Sequence, residues 1–392
     1  MRERGAVSIF IVIFTALLVT VVTTSFVQVT LRNQQQANDN DLSQSAYDSA
    51  MAGVEDAKRA LVRLKKCQLN PVGDCAIFID AMADAETNCE VLGKSNINVA
   101  SFQGTKHEVM VGDASQNQAY TCTTIKVQTE SYKGELDSVH DSVVIPLVPV
   151  GGDTNNIQKV RISWFTKDDV AMTVPAPLLP ATLGLPSYLA WSDTTPPMIR
   201  AQLMQFHENS INLSEFDGER ARTLLLFPNN TGGRPVNHSF TSDTRRATSN
   251  SPSYGGCNAN FGYGADKYAC SVEIELPAMG PGEKREAYLQ LAGIYIKPLG
   301  THYMVEMLGA GGVGGRIDFD NVQPEVDSTG RSADLFRRVK ARVDVSESGV
   351  PDQYPEAALS TNNICKEFFV TSNPADYSAN GNGAGDPQGC TP

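Results

Sequence analysis

The first hydrophobic block of the chain, AVSIFIVIFTALLVTVVTTSFVQVTL from Ala6 to Leu31, contains no charged residue. A helix that crosses a bilayer needs about 20 mostly apolar residues, and this block exceeds that length. Arg2 and Arg4 precede it in the segment MRERG. Basic flanks belong on the cytoplasmic side, so everything after Arg32 is expected outside the membrane. A cleaved secretory signal fits less well, because its apolar region runs to about 7–15 residues and closes on small residues. This block is longer and ends in Phe26, Val27 and Gln28.

The apolar block passes without a break into QQQANDNDLSQSAYDSAMAGVEDAKRALVRLKK, where Leu42, Ala46, Ala50, Val54, Ala57, Leu61 and Leu64 recur at three- and four-residue intervals. That spacing draws one apolar stripe down a helix. No proline and only one glycine, Gly53, fall between Ala6 and Lys66. A single helix of about 60 residues, near 90 Å at 1.5 Å per residue, is therefore predicted, with its second half packed on the globular part. Asn38 to Asp41 is the expected weak point, since Asn and Asp side chains compete for backbone hydrogen bonds and a bend or melt is expected there.

After Gln68 the period changes from the helical one to two. HEVMV, YTCTTIKVQTES and SVVIPLVPV alternate apolar and polar residues and read as strands of a small sheet covering the helix. Gly151, Gly152 and Asp153, followed by Thr154 to Asn156, form a polar turn cluster taken as a lobe boundary. KVRISWF, RTLLLFP, SVEIEL, AYLQLAGIYI and HYMVEML then read as strands of an antiparallel second lobe. In LPSYLAWSDTTPPMIRAQLMQF, Tyr188 and Trp191 are expected in the core rather than in an exposed aromatic patch. GRSADLFRRVKARVDV, with Arg331, Arg337, Arg338, Lys340 and Arg342, reads as a helix-to-strand element with a solvated basic face. The predicted class is α+β: a long N-terminal transmembrane and amphipathic helix followed by antiparallel, β-rich, disulfide-containing globular lobes. The predicted division is a leader at 1–5, the helix at 6–66 with 6–31 in the membrane, one β lobe at 67–150 and a larger one at 151–392.

Composition narrows the function. Hydrophobic residues make up 41% and charged residues 19%, the balance of a folded protein. A net charge of -12 with no basic patch excludes nucleic-acid binding, which needs clustered Lys and Arg to displace counterions. Eight cysteines, an even set, all lie beyond the apolar block. None makes a C-x-x-C pair and the five histidines are scattered, so a disulfide framework in an oxidising compartment is expected rather than zinc. Cys67 with Cys75 would clip the helix end to its following loop, and Cys89 with Cys122 would tie a loop to a strand. Four cysteines allow three connectivities, so the spacing leaves that pairing open. Cys257 and Cys270 bracket one short Gly- and Asn-rich loop, and Cys365 and Cys390 another near the C-terminus.

Candidate chemistry is thin. Gly309 to Gly314 matches G-x-G-x-x-G, but a dinucleotide site needs a helix to follow at once, and RIDFDNVQPEV is strand-like. A glycine-rich hairpin loop is the reading adopted. Asp318, Asp320 and Asn321 are a calcium candidate that lacks the remaining loop ligands. His207 with Glu208, and Asn237-His238-Ser239, carry catalytic residue types outside any recognisable nucleophile elbow or zinc helix. No catalytic residue and no cofactor are assigned.

The leader MRERG ending in Gly5 and running straight into a hydrophobic helix resembles the prepilin leader of type IV pilins and type II secretion pseudopilins. AYDSAMAGVEDAKRAL is similar to the segment that follows the membrane helix in PilX-type minor pilins. The resemblance spans about residues 1–66. It implies cleavage after Gly5 by a prepilin peptidase, methylation of the new N-terminus at Ala6, and assembly with other pilin subunits through a helix carrying Phe10, Phe14, Leu17 and Leu18. The family's usual glutamate at the fifth mature position is Phe10 here, a departure shared with minor pseudopilin K, which implies a minor subunit at the filament tip. The Cys365–Cys390 loop occupies the place of the family's C-terminal disulfide-bounded loop. The function expected is that of a minor subunit of a type IV pilus or related filament, acting in assembly, adhesion or contact with a host or cell-surface ligand. It would sit in the cytoplasmic membrane with its N-terminus inside, and in an extracellular filament after assembly. The alternative is a membrane-anchored extracellular adhesin or hydrolase that never enters a filament.

Overall fold

The computed structural model describes residues 6–344 apart from intervening segments, the longest being 170–190, 208–221, 239–252 and 277–284. The leader and residues 345–392, including Cys365 and Cys390, lie outside the described residues. In chain order the helices are α1 (Ala6–Leu69), α2 (Cys75–Ala83) and α3 (Val91–Lys94). The first strands are β1 (Phe102–Gln103), β2 (Glu108–Met110), β3 (Gln118–Thr129), β4 (Tyr132–Leu136) and β5 (Val143–Pro146). A 3-10 turn at Thr154–Asn156 precedes β6 (Lys159–Trp164), β7 (Met198–His207), β8 (Arg222–Asn229), β9 (Val236–His238), β10 (Tyr254–Cys257) and β11 (Cys270–Glu275). The chain closes with β12 (Arg285–Ile294), β13 (Thr301–Leu308), β14 (Arg316–Ile317), β15 (Phe319–Ser332) and β16 (Leu335–Arg342).

Two compact units divide the chain within β3 and β15: residues 1–126 with 325–343, and residues 127–324 with 344–392. The turn cluster Gly151–Asp153 is therefore no lobe boundary; it leads into the 3-10 turn inside the second unit. Long-range pairing decides this, because β4 joins β13 and β5 joins β12, so both are recruited by strands far downstream.

In the first unit α1 is one helix of 64 residues, about 96 Å long. It continues through Asn38–Asp41 without the expected melt. Every side chain from Arg32 to Asp41 is exposed, so water satisfies these polar groups and they need not turn back on the backbone. The apolar stripe is buried as its spacing predicts: Ala46, Ala50, Val54, Ala57, Leu61 and Leu64 are all in the core. It faces a sheet ordered β1-β2-β3-β15-β16. Two of its strands come from the C-terminal side of the second unit. GRSADLFRRVKARVDV thus forms the turn and second strand of a hairpin, not a helix. Ser332 pairs with Leu335 across a two-residue turn in which Ala333 takes φ +50°, and the alternation of Leu335, Arg337 and Val339 with Phe336, Arg338 and Lys340 suits a strand. Cys67–Cys75 and Cys89–Cys122 are both disulfide-bonded.

The second unit is a curled, near-barrel sheet ordered β14-β13-β6-β11-β10-β8-β7-β12-β5, with β4 on β13 and β9 on β11. Most pairings are antiparallel as predicted, but β10–β8 and β11–β9 are parallel. The two ends of the order meet: Val150 N donates to Asp318 O at 3.0 Å and Asp320 N to Val148 O at 2.9 Å. Alternate residues point inward, giving one core from Val160, Ile162 and Trp164, Ile199, Ala201 and Leu203, Ala287, Leu289 and Leu291, and Tyr303, Val305 and Met307. Trp164 lies flat where any side chain at Gly255 would strike its ring at 2.2 Å. Cys257–Cys270 staples the directly paired ends of β10 and β11. Trp191 is buried with Met198 and Phe227, as expected, while Tyr188 lies outside the described residues.

Candidate functional site

The feature that separates this chain from an ordinary two-unit β protein is α1, whose halves meet different surroundings. From Phe10 to Leu31 the large apolar side chains are exposed on every side, Phe10 by 75% and Phe14, Leu17 and Leu18 by more than half. Water does not tolerate such a surface, which is long and apolar enough to cross a membrane. The five threonines inside it would be a cost in hydrocarbon, but each returns its hydroxyl to the preceding turn: Thr15 to Ile11 O at 2.9 Å, Thr20 to Ala16 O and Thr23 to Val19 O at 2.8 Å, Thr24 to Thr20 O, and Thr30 to Phe26 O at 2.9 Å. No polar group of these side chains is left for the solvent to satisfy. Ala6 opens the helix, and Gly5 lies outside the described residues.

The second half is held by close approach and one buried polar pin. A side-chain carbon at Gly53 would meet Ser328 Oγ at 2.3 Å and Thr123 Oγ1 at 2.8 Å, and one at Gly330 would meet Ala46 O at 2.1 Å. At Gly330 strand backbone thus touches helix backbone, which leaves no room for any side chain there. Tyr120 donates its hydroxyl to Asp56 Oδ2 at 2.7 Å, and Arg59 pairs with Asp56 Oδ1 at 2.9 Å, so the buried carboxylate is matched. At the far end Arg63 pairs with Asp74 and stacks over Phe78, 5.1 Å from the ring centre. The neighbouring guanidinium holds the Asp74 carboxyl below its usual range.

The remaining sequence candidates are dispersed. Asp318 and Asp320 lie at the seam that closes the barrel, where their backbone does the pairing. Burial raises the Asp320 pKa, and Asn321 sits in the left-handed region at φ +53°. Among the described residues no group of three His, Cys, Asp or Glu side chains is arranged to hold a metal. Leu308 pairs with Arg316 and Gly309 N donates to Gly315 O at 2.7 Å, so the flanks of the G-x-G-x-x-G segment belong to paired β13 and β14, while residues 311–314 lie outside the described residues. His207 ends β7 and His238 bonds Tyr254 O through Nε2 at 2.8 Å; Glu208 and Ser239 lie outside the described residues.

One polar cluster escapes sequence reading. Asp169, fully buried, accepts from Thr166 N at 2.6 Å, from His302 N at 3.1 Å and from the half-exposed His302 ring at Nδ1. The partners stand 133 residues apart, and no short motif spans such a gap. This is an imidazole with its orienting carboxylate; among the described residues no hydroxyl or thiol of the kind a nucleophilic mechanism requires bonds the ring.

Comparison of the chain with protein-family models, with curated proteins and with solved structures returns no match.

Proposed function

We propose that this protein is a structural, non-enzymatic minor subunit of a type IV pilus-like filament, anchored through residues 6–31 in the cytoplasmic membrane before assembly. The observation that carries this reading is the division of α1: one continuous helix, uncovered and apolar for its first half, seated by small residues on a sheet for its second. A simple anchor needs no such rigid coupling, because a flexible linker would serve. A filament subunit does need it, since the packing of its apolar helix must fix where the exported sheets stand. The disulfides suit an oxidising exterior, the compartment to which such a subunit is delivered. The leader MRERG and the segment AYDSAMAGVEDAKRAL add the family resemblance, and Phe10 in place of a charged residue favours the filament tip.

The test is intact-mass and N-terminal peptide spectrometry of protein from sheared surface filaments and, separately, from membranes. A mature chain beginning at methylated Ala6 in the filament fraction is expected. A chain that retains Met1 or Arg2 and is confined to membranes would overturn the proposal.

A further inference from the structure

We infer that His302 and Glu135 together bind one divalent transition-metal ion of the zinc class, with water in the remaining coordination positions. Every residue involved belongs to the second unit. Tyr303 lies in the barrel core, so its neighbour His302 projects from the outer surface of β13, where its side chain is 40% exposed. Its Nδ1 bonds Asp169, a carboxylate with no exposed surface. The same carboxylate accepts from Thr166 N at 2.6 Å, from His302 N at 3.1 Å and from Thr301 Oγ1 at 3.4 Å. A carboxylate so crowded with donors is the acceptor toward the ring as well. Nδ1 therefore carries the ring proton, and Nε2 is left with the lone pair.

Proteins prepare an imidazole for a metal in this way: the rear nitrogen donates to a carboxylate, which fixes the ring's orientation and makes the front nitrogen more basic. The orientation is firm here. Asp169 N donates to Thr166 O at 3.2 Å, which closes the turn that carries the carboxylate, and Phe165 N donates to His302 O at 3.0 Å. Turn and strand are thus tied through backbone and side chain together.

The second ligand comes from the neighbouring strand. Glu135 on β4 stands directly opposite His302 in the antiparallel pair. Opposed residues share a face, with Cβ atoms about 4.5–5.5 Å apart. Gly134 fixes which face, because a carbon added there would strike the Tyr303 ring on the core side, so Glu135 points outward with His302. Its carboxylate leans over Gly300, two residues before His302, where a side-chain carbon would stand 2.6 Å from Glu135 Oε1. Gly300, at φ +72°, both makes the turn into β13 and leaves the carboxylate its place. Among the described residues neither His302 Nε2 nor the Glu135 carboxylate has a hydrogen-bond or ion-pair partner.

An imidazole nitrogen and a carboxylate oxygen are both good ligands for zinc. Calcium takes about six to eight oxygens and gains nothing from the imidazole. Two protein ligands hold the ion loosely, so it exchanges with solution and keeps open positions.

The test treats the untagged full-length chain in detergent micelles with diethyl pyrocarbonate across a zinc titration and reads each histidine in peptide mass spectra. The reagent attacks an accessible imidazole lone pair, and so probes Nε2 of His302. Zinc is expected to protect His302 saturably, and calcium at equal concentration is expected to leave it reactive. His238, whose Nε2 already bonds Tyr254 O, reports whether the unit stays folded. Glu135→Gln, at an exposed site, is expected to raise the half-protecting zinc concentration about tenfold, and Asp169→Asn, which frees the ring to turn, roughly 10–100-fold. A rise in His238 reactivity would mark Asp169→Asn as unfolded, and Glu135→Gln then decides alone. Zinc that leaves His302 reactive, equal protection by calcium, protection of all five histidines at one concentration, or an unchanged half-protecting concentration in Glu135→Gln would overturn the site.

Discussion

The two halves of α1 are built from one unbroken helix and solve opposite problems. Residues 10–31 are large and apolar around the whole circumference and are covered by nothing among the described residues. Residues 42–67 carry alanine, glycine and serine along the stripe that meets the sheet, and are packed until backbone touches backbone. The comparison teaches that bulk and smallness do different work. Large side chains on all sides favour transfer of the whole helix into an apolar medium and specify no partner geometry. Small ones forgo hydrophobic area and specify a single register against β3 and β15, which the Asp56–Tyr120 hydrogen bond then confirms at one point.

The contrast is broken most severely by Gly330→Val, which places side-chain carbons where the α1 backbone stands. A loss of about 3 kcal/mol in the first unit is expected, read as lost hydrogen-exchange protection over Ala46–Leu64 with the second unit's amides unchanged. Leu18→Arg attacks the other half. It is expected to cost insertion about 3 kcal/mol and to move protein from the membrane to the soluble fraction on alkaline extraction, with the thermal transitions of both units preserved. Tyr120→Phe sharpens the comparison, because it removes the pin and keeps the packing: a loss of about 1–2 kcal/mol by denaturant melting is expected. The smallest effect belongs to the Arg63–Asp74 pair. Its carboxyl is held below the ordinary value of 3.8, so its stabilisation is present above that pH and lost as pH falls through the lower folded value. Asp74→Asn should therefore lower the melting temperature slightly at pH 6, and the difference from the parent should shrink as pH falls below the ordinary carboxyl value, toward the lower folded one.

The helix was legible because its signals are local. An uncharged block and a three-and-four spacing need no knowledge of the rest of the chain, and Leu61 and Leu64 are buried where the stripe puts them. Most strands of the second unit were legible for the same reason, since a period of two marks each one alone. The hairpin of β15 and β16 was not. Its run of arginines resembles the solvated face of a helix until Arg338 and Lys340 are seen opposite Asp327 and Glu325 on the neighbouring strand. The His302–Asp169 pair was invisible for a related reason, as its partners come from a turn and a strand far apart in the chain.

The amino-acid sequence by itself therefore determined the elements with an internal period: the apolar helix, its amphipathic continuation and the strands; that Cys67 pairs with Cys75 was settled by the structure. Only the tertiary structure decided which strands belong to which unit, that the chain returns at Glu325 to complete the sheet under α1, and that Gly330 lies against the α1 backbone at Ala46. Periodicity is a property of neighbours along the chain, whereas pairing is a choice among many strands of similar propensity, made by the register that buries the most surface with every backbone group matched.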